Sequence, residues 1–251
     1  MYVLLNGSED MADRGRRRLW TALACLVIAI MTAAAYFDNY YRAGDAARRA
    51  MEPSEGVRVS DEGRCIAFDG PGEDAALIFY PGAKVEPAAY VPLLHRLAEL
   101  GVDAFLIEPP LRISLTDIGA AGRVMAGRDY SRWFLAGHSL GGVAAAAYVV
   151  QHPDQAEGLI LLSAYPTAAL PANVRLLSIY GSRDGVLNRI NYEKARALWP
   201  EYSMERVIDG GNHAGFGDYG PQRGDGPAEI AAEQQWTETA DCMAAFCIEA
   251  A

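Results

Sequence analysis

Short apolar runs alternate with stretches of helical pattern along most of the chain, and this alternation constrains the fold more than any other feature. The runs are VRVS and CIAF, then ALIFY, DAFLIE, RWFLAG, GLILLSA, RLLSIYG and MERVID. Helical patterns fall between them at Pro87 to Leu100, around Thr116 to Ala126, at Leu140 to Val150 and at Asn191 to Leu198, and a last one runs from Ala228 to about Ile248. Strands joined through helices run parallel, and ALIFY and LILLS are nearly unbroken apolar runs, as expected of strands covered on both faces. The spacing predicts an α/β fold with a mostly parallel sheet flanked by helices. Only about ten residues, Tyr165 to Val174, separate GLILLSA from RLLSIYG, which is ordinary loop length, so no large cap domain is expected there. A chain of 251 residues, 51% apolar and 22% charged, suits one packed domain, placed here at 56–251.

What precedes that domain is of another kind. Arg14, Arg16, Arg17 and Arg18 stand before an uncharged stretch, LWTALACLVIAIMTAAAYF at 19–37, about the length a helix needs to cross a bilayer. The chain is read as a basic cytoplasmic N-terminus at 1–18, a transmembrane anchor at 19–37 and a polar, Ala-rich and Arg-containing linker at 38–55. A secretory signal cut after Ala35 is the alternative, since Ala33 and Ala35 form an A-x-A pattern; the length of the run favours the anchor. Cys25 fits a lipoprotein site poorly, because the apolar run before it is short. The basic cluster would keep the N-terminus in the cytoplasm and send the domain to the extracytoplasmic side, with Arg42, Arg48 and Arg49 counting against that orientation. Met11, directly before the cluster, competes with Met1 as the start.

The net charge is −10, and residues 1–50 carry seven Arg against five acids, +2, which leaves −12 for the remainder. Such a surface repels phosphate backbones, so no nucleic-acid partner is expected, and neutral or cationic small substrates fit better. The four cysteines, Cys25, Cys65, Cys242 and Cys247, form no CxxC pair, and no metal site is expected. A mutual disulfide between Cys242 and Cys247 is disfavoured, because five residues along one helix place them on poorly matched faces.

Gly137-His138-Ser139-Leu140-Gly141 matches G-x-S-x-G and lies between the apolar strand RWFLA and an Ala-rich helix. A nucleophilic serine on a strained strand-to-helix turn needs glycines two residues to either side, where Cβ atoms would collide. A glycine-flanked serine that merely caps a helix reads similarly on its own. The partners decide between the two, because an aspartate and a histidine follow in order, each just after a predicted strand. Asp184 ends the segment after LLSIY, where it can orient an imidazolium; Asp209 and Asp218 are weaker substitutes, and a plain turn aspartate is the alternative. Of the four histidines, His95 is far upstream, His138 sits inside the elbow and His152 ends the next helix, which leaves His213 in Gly210-Gly211-Asn212-His213-Ala214-Gly215. Backbone amides of Ala83 and Leu140 are the candidate oxyanion donors, Pro81 having no N–H; Lys84 reads as a solvated surface lysine.

FYPGAKVEPAAY, AGHSLGG, IYGSRDG and GGNHAGFGDYG give the chain from about Ala75 onward a resemblance to serine α/β-hydrolases, especially compact bacterial members near the dienelactone hydrolases. The resemblance implies the α/β-hydrolase fold, Ser139, Asp184 and His213 as a triad, Ala83 and Leu140 as oxyanion amides, and no cofactor. Two departures stand out. Dienelactone hydrolases proper use a cysteine nucleophile, and Pro81-Gly82 replaces the His-Gly oxyanion motif of many esterases. The resemblance implies a serine hydrolase acting on carboxylic esters or related acyl bonds of a small acyl substrate, in a comparatively open site. An acyltransferase, or a membrane-tethered binding module with a vestigial triad, is the competing reading.

Overall fold

Charge is scarce in the central apolar runs and concentrated in the outer ones, and the sheet is ordered accordingly. In the computed structural model, β1 (Arg58–Asp61), β2 (Cys65–Asp69), β3 (Ala75–Tyr80), β4 (Asp103–Ile107), β5 (Arg132–His138), β6 (Gly158–Leu162), β7 (Arg175–Gly181) and β8 (Ser203–Ile208) form one sheet. Its order is β1-β2-β4-β3-β5-β6-β7-β8. The β1–β2 and β2–β4 pairs are antiparallel and the remaining pairs parallel. β3 and β6 are buried throughout, whereas the edge strands β1 and β8 expose Arg58, Asp61, Met204 and Arg206. The structure describes residues 3–249 apart from 53, 55 and 73, with side chains described from Gly15 onward except at Ala34. Met1 as a start, and residues 55 and 251 as the expected ends of linker and domain, lie outside the described residues.

Alternation along the strands divides the core in two. Leu77 and Phe79 of β3 pack with Leu93, Leu97, Met243 and Phe246 from α3 (Val91–Glu99) and α7 (Ala232–Ile248). Ala76, Ile78 and Tyr80 face Ala121, Ala144 and Tyr148 from α4 (Ala120–Met125) and α5 (Leu140–Gln151). The alanines of α5 let that helix lie close to the sheet, and the connection 163–174 between β6 and β7 carries neither helix nor strand.

Several helices are shorter than their sequence patterns. The pattern from Pro87 opens as a 3₁₀ turn, Pro87–Tyr90, and continues as α3, with a proline in its first turn where a missing N–H costs nothing. The stretch around Thr116 splits into a 3₁₀ turn, Ser114–Asp117, and α4, on either side of Gly119, and the Thr116 hydroxyl bonds the Ile113 carbonyl at 2.7 Å. The helix at 191–198 starts earlier, as Arg189–Ala195, because Asn188 caps it through Asn191 N–H at 3.0 Å. The closing helix begins at Ala232 and not Ala228, because Glu229 N–H is held by the Gly210 carbonyl at 2.7 Å.

Residues 1–40 form a unit of their own, built on the helix Val3–Asp38. Within it, Gly15–Asp38 is long and apolar enough to cross a membrane, and Leu19, Trp20, Ile28 and Met31 are exposed. The second unit begins at Tyr41, earlier than the expected Gly56. Much of the expected linker is folded, and the reason is hydrogen bonding. Tyr41 N–H donates to the Lys84 carbonyl (2.8 Å) and Ala43 N–H to Glu86 Oε2 (2.8 Å). Ala47 N–H, in the short helix Asp45–Ala50, donates to Asp218 Oδ2 (2.8 Å), and Ala43 and Ala47 are buried.

Candidate active site

β3 and β5 are parallel neighbours with Tyr80 opposite Gly137, so the loops that follow them leave the same sheet edge side by side. β5 ends at His138 and α5 starts at Leu140, which leaves Ser139 alone to turn the chain. It does so at φ 53° and ψ −122°, a conformation that costs a non-glycine residue about 1–3 kcal/mol. Surrounding bonds hold it there: Ser139 N–H donates to the Leu162 carbonyl (2.9 Å), and the Ser139 carbonyl accepts from Gly142 N–H (3.0 Å). A Cβ at Gly137 would meet the Gly141 carbonyl carbon at 2.4 Å, and one at Gly141 would meet the Tyr80 oxygen at 2.1 Å. The two glycines therefore permit the close packing that the turn requires.

Two strands away, the loops after β7 and β8 bring an acid to a base. His213 Nδ1 lies 2.9 Å from Asp184 Oδ2, and both side chains are 1% exposed. Burial disfavours the carboxylate, yet the hydrogen bond and charge of His213 outweigh it, helped by Leu187 N–H, and hold Asp184 down at about 2. Its other oxygen accepts from Val186 and Leu187 N–H, each at 2.8 Å. Stabilisation from this depressed carboxyl is present above the ordinary value, about 4, and is lost as pH falls toward about 2. His213 Nε2 is buried with no hydrogen-bond partner among the described residues.

The structure thus pairs Asp184 with His213 but does not close a hydrogen bond from Ser139 to His213 Nε2. Such a bond is often long without substrate. His213 nevertheless abuts the serine turn, because the ring of His138, next to Ser139, lies 4.4 Å from the His213 ring. Neither substitute acid serves this histidine: Asp209 accepts from Ser182 Oγ (3.1 Å), and Asp218 is bound to the Ala47 amide. The Ala83 and Leu140 amides, each three residues past a registered strand position, are used in no hydrogen bond among the described residues. Lys84 is half-buried at φ 58°, and its backbone N–H donates to the Arg112 carbonyl at 2.9 Å. Among the described residues no cluster of three His, Cys, Asp or Glu is placed to hold a metal ion, and all four cysteines are free thiols.

A mostly parallel sheet in this order, with a strained serine turn after its fifth strand, defines an α/β-hydrolase. Residues 76–237 match the model of the alpha/beta hydrolase family, and the chain belongs to that family. No curated protein matches it by sequence. Among solved structures, Est1E from Butyrivibrio proteoclasticus is 13% identical over 75% of this chain and 97% of its own, with a TM-score of 0.51. A CIB-like hydrolase from Thermoplasma acidophilum is 14% identical over 75% and 97%, TM-score 0.54. A membrane phospholipase A described as a bacterial virulence factor is 16% identical over 98% of both chains, TM-score 0.57. At such identities the likeness is one of fold.

Asp225 is a residue of the site that was not legible in the sequence. Asp225 Oδ1 accepts from Gly185 N–H (3.0 Å) and His213 N–H (3.2 Å), and Oδ2 accepts from Ala214 N–H (2.8 Å). One carboxylate thereby clasps the loop of Asp184 to the loop of His213. Its only signal is a turn-forming Gly-Asp-Gly, which says nothing about distant partners. Asp225→Ala should leave the amides of the buried His213 and Ala214, and that of the exposed Gly185, without this acceptor, costing about 1–3 kcal/mol in urea unfolding, and should speed hydrogen exchange at Gly185, His213 and Ala214. Unchanged protection at those amides would contradict the clasp.

Proposed function

We propose that the protein is a serine hydrolase that cleaves a carboxylic ester or related acyl bond through an acyl-enzyme on Ser139. The observation that carries this reading is the buried Asp184–His213 pair, 2.9 Å apart, whose imidazole lies 4.4 Å from the ring of His138, the residue before the strained serine turn. Ser139 Oγ attacks the acyl carbonyl as His213 Nε2 takes its proton. Asp184 stays ionised, fixes the tautomer of His213 and stabilises the imidazolium. The Ala83 and Leu140 amides receive the oxyanion, the imidazolium protonates the departing alkoxide, and His213 then activates the water that frees the acid. These steps need no metal or cofactor.

The domain is proposed to act outside the cytoplasm on the end of an uncleaved anchor, because the basic cluster precedes the apolar run. Protease added to intact spheroplasts should then remove the domain; protection of the domain there, with digestion only in lysed cells, would reverse the orientation.

A fluorophosphonate should label the wild type at Ser139, and Ser139→Ala should lose both label and ester turnover, by about 10³-fold or more. A folded wild type that resists the probe and hydrolyses no ester would favour a non-catalytic binding module, and transfer to added alcohol outrunning hydrolysis would mark an acyltransferase. Because the connection 163–174 builds no lid, short or exposed acyl groups are the expected substrates. Rates on a p-nitrophenyl ester series should fall with chain length; a preference for long chains would refute this.

A further inference from the structure

A second imidazole is buried at the site with no part in the proposed chemistry. His138 is 1% exposed, and its Nδ1 lies 2.8 Å from the Tyr90 hydroxyl, which in turn lies 3.1 Å from the Gly82 amide nitrogen. The Gly82 N–H can only donate, so the Tyr90 oxygen accepts from it and the Tyr90 O–H is left to donate to His138 Nδ1. The other tautomer would aim two N–H groups at one oxygen and strand the buried O–H without an acceptor among the described residues, at a cost of about 1–3 kcal/mol. The tautomer with Nδ1 a lone pair leaves one buried group, Nε2–H, without a partner among the described residues, whereas the other leaves both the Tyr90 O–H and the Nε2 lone pair unmet, so the hydrogen is ordered onto Nε2. Burial, and then the charge of His213, push His138 well below the ordinary histidine range, so the ring stays neutral.

The two ends of this chain of bonds matter. Gly82 immediately precedes Ala83, and His138 immediately precedes Ser139. We propose that Tyr90 and His138 are positioning residues that clamp the oxyanion loop to the nucleophile strand, so that the Ala83 and Leu140 amides converge on one point. The proposal rests on the reading of Ser139 as nucleophile. It also accounts for the glycine at 82, where a Cβ would stand 2.7 Å from the Tyr90 oxygen and 3.0 Å from His138 Nδ1. Tyr90 is held from behind by Phe79, at a ring separation of 5.0 Å, and by Tyr219 at 6.4 Å, so removing its hydroxyl leaves the ring packed.

Three variants and one spectrum test the clamp. In the wild type, ¹⁵N NMR should show His138 Nδ1 unprotonated and Nε2 protonated, and Tyr90→Phe should mix the tautomers. Because oxyanion donors act on the transition state, kcat on a p-nitrophenyl ester should fall about tenfold in Tyr90→Phe and His138→Leu with KM within about twofold. His138→Asn, whose amide oxygen can take the place of Nδ1 as acceptor, should recover most of what His138→Leu loses; this pair decides the matter if Tyr90→Phe does not fold. A protonated Nδ1 in the wild type, an unchanged kcat in Tyr90→Phe, or equal losses in the Asn and Leu variants would overturn the proposal. An absence of ester turnover in the wild type would instead sink the reading of Ser139, while the tautomer would still decide whether the clamp exists.

Discussion

Removing a carboxylate from water is costly, and the site depends on how that cost is met at Asp184. Its side chain is 1% exposed, yet two backbone amides and the His213 imidazole supply enough hydrogen bonding to keep it ionised. This holds only while the loops after β7 and β8 stay together, which the parallel register of Gly181 with Ile208 and the carboxylate of Asp225 secure. The buried pair and the sheet edge thus depend on each other. Separating the loops would leave a buried charge without its partner, a state far less stable than either the paired or the solvated one.

The serine turn obeys a different constraint, that of space. A serine at φ 53° survives because Gly137 and Gly141 allow α5 to sit against the end of β3, and because the Leu162 carbonyl fixes the serine amide. Strain is held in place by packing, and hydrogen bonds then register one loop against the next. Asp218 and Glu86 extend this logic outward, since they draw residues 41–50 onto the domain by bonding the backbone amides of Ala47 and Ala43.

The strands were legible because a parallel strand covered on both faces reads as a nearly continuous apolar run, as ALIFY and LILLS do between helical patterns. Ser139 was legible because its strain demands a local glycine pattern. Order along the chain singles out Asp184 and His213 as the proposed acid and base, and the two lie 2.9 Å apart. Where the pattern misled, hydrogen bonds over long sequence separations decided: Ala47 with Asp218 converted an expected linker into a helix, and Glu229 with Gly210 delayed the start of α7. Asp225 and Tyr90 escaped notice for the same reason, because each acts through backbone amides that carry no residue-specific mark.

The central claim is that the buried Asp184–His213 pair makes Ser139 a nucleophile. Its most direct measurement is the rate at which a fluorophosphonate modifies Ser139 in Asp184→Asn compared with the wild type. The account predicts modification at the same serine but slower by about 10²–10⁴-fold, since asparagine cannot hold the imidazole in its basic tautomer or stabilise its cation. An undiminished rate in the folded variant would contradict it.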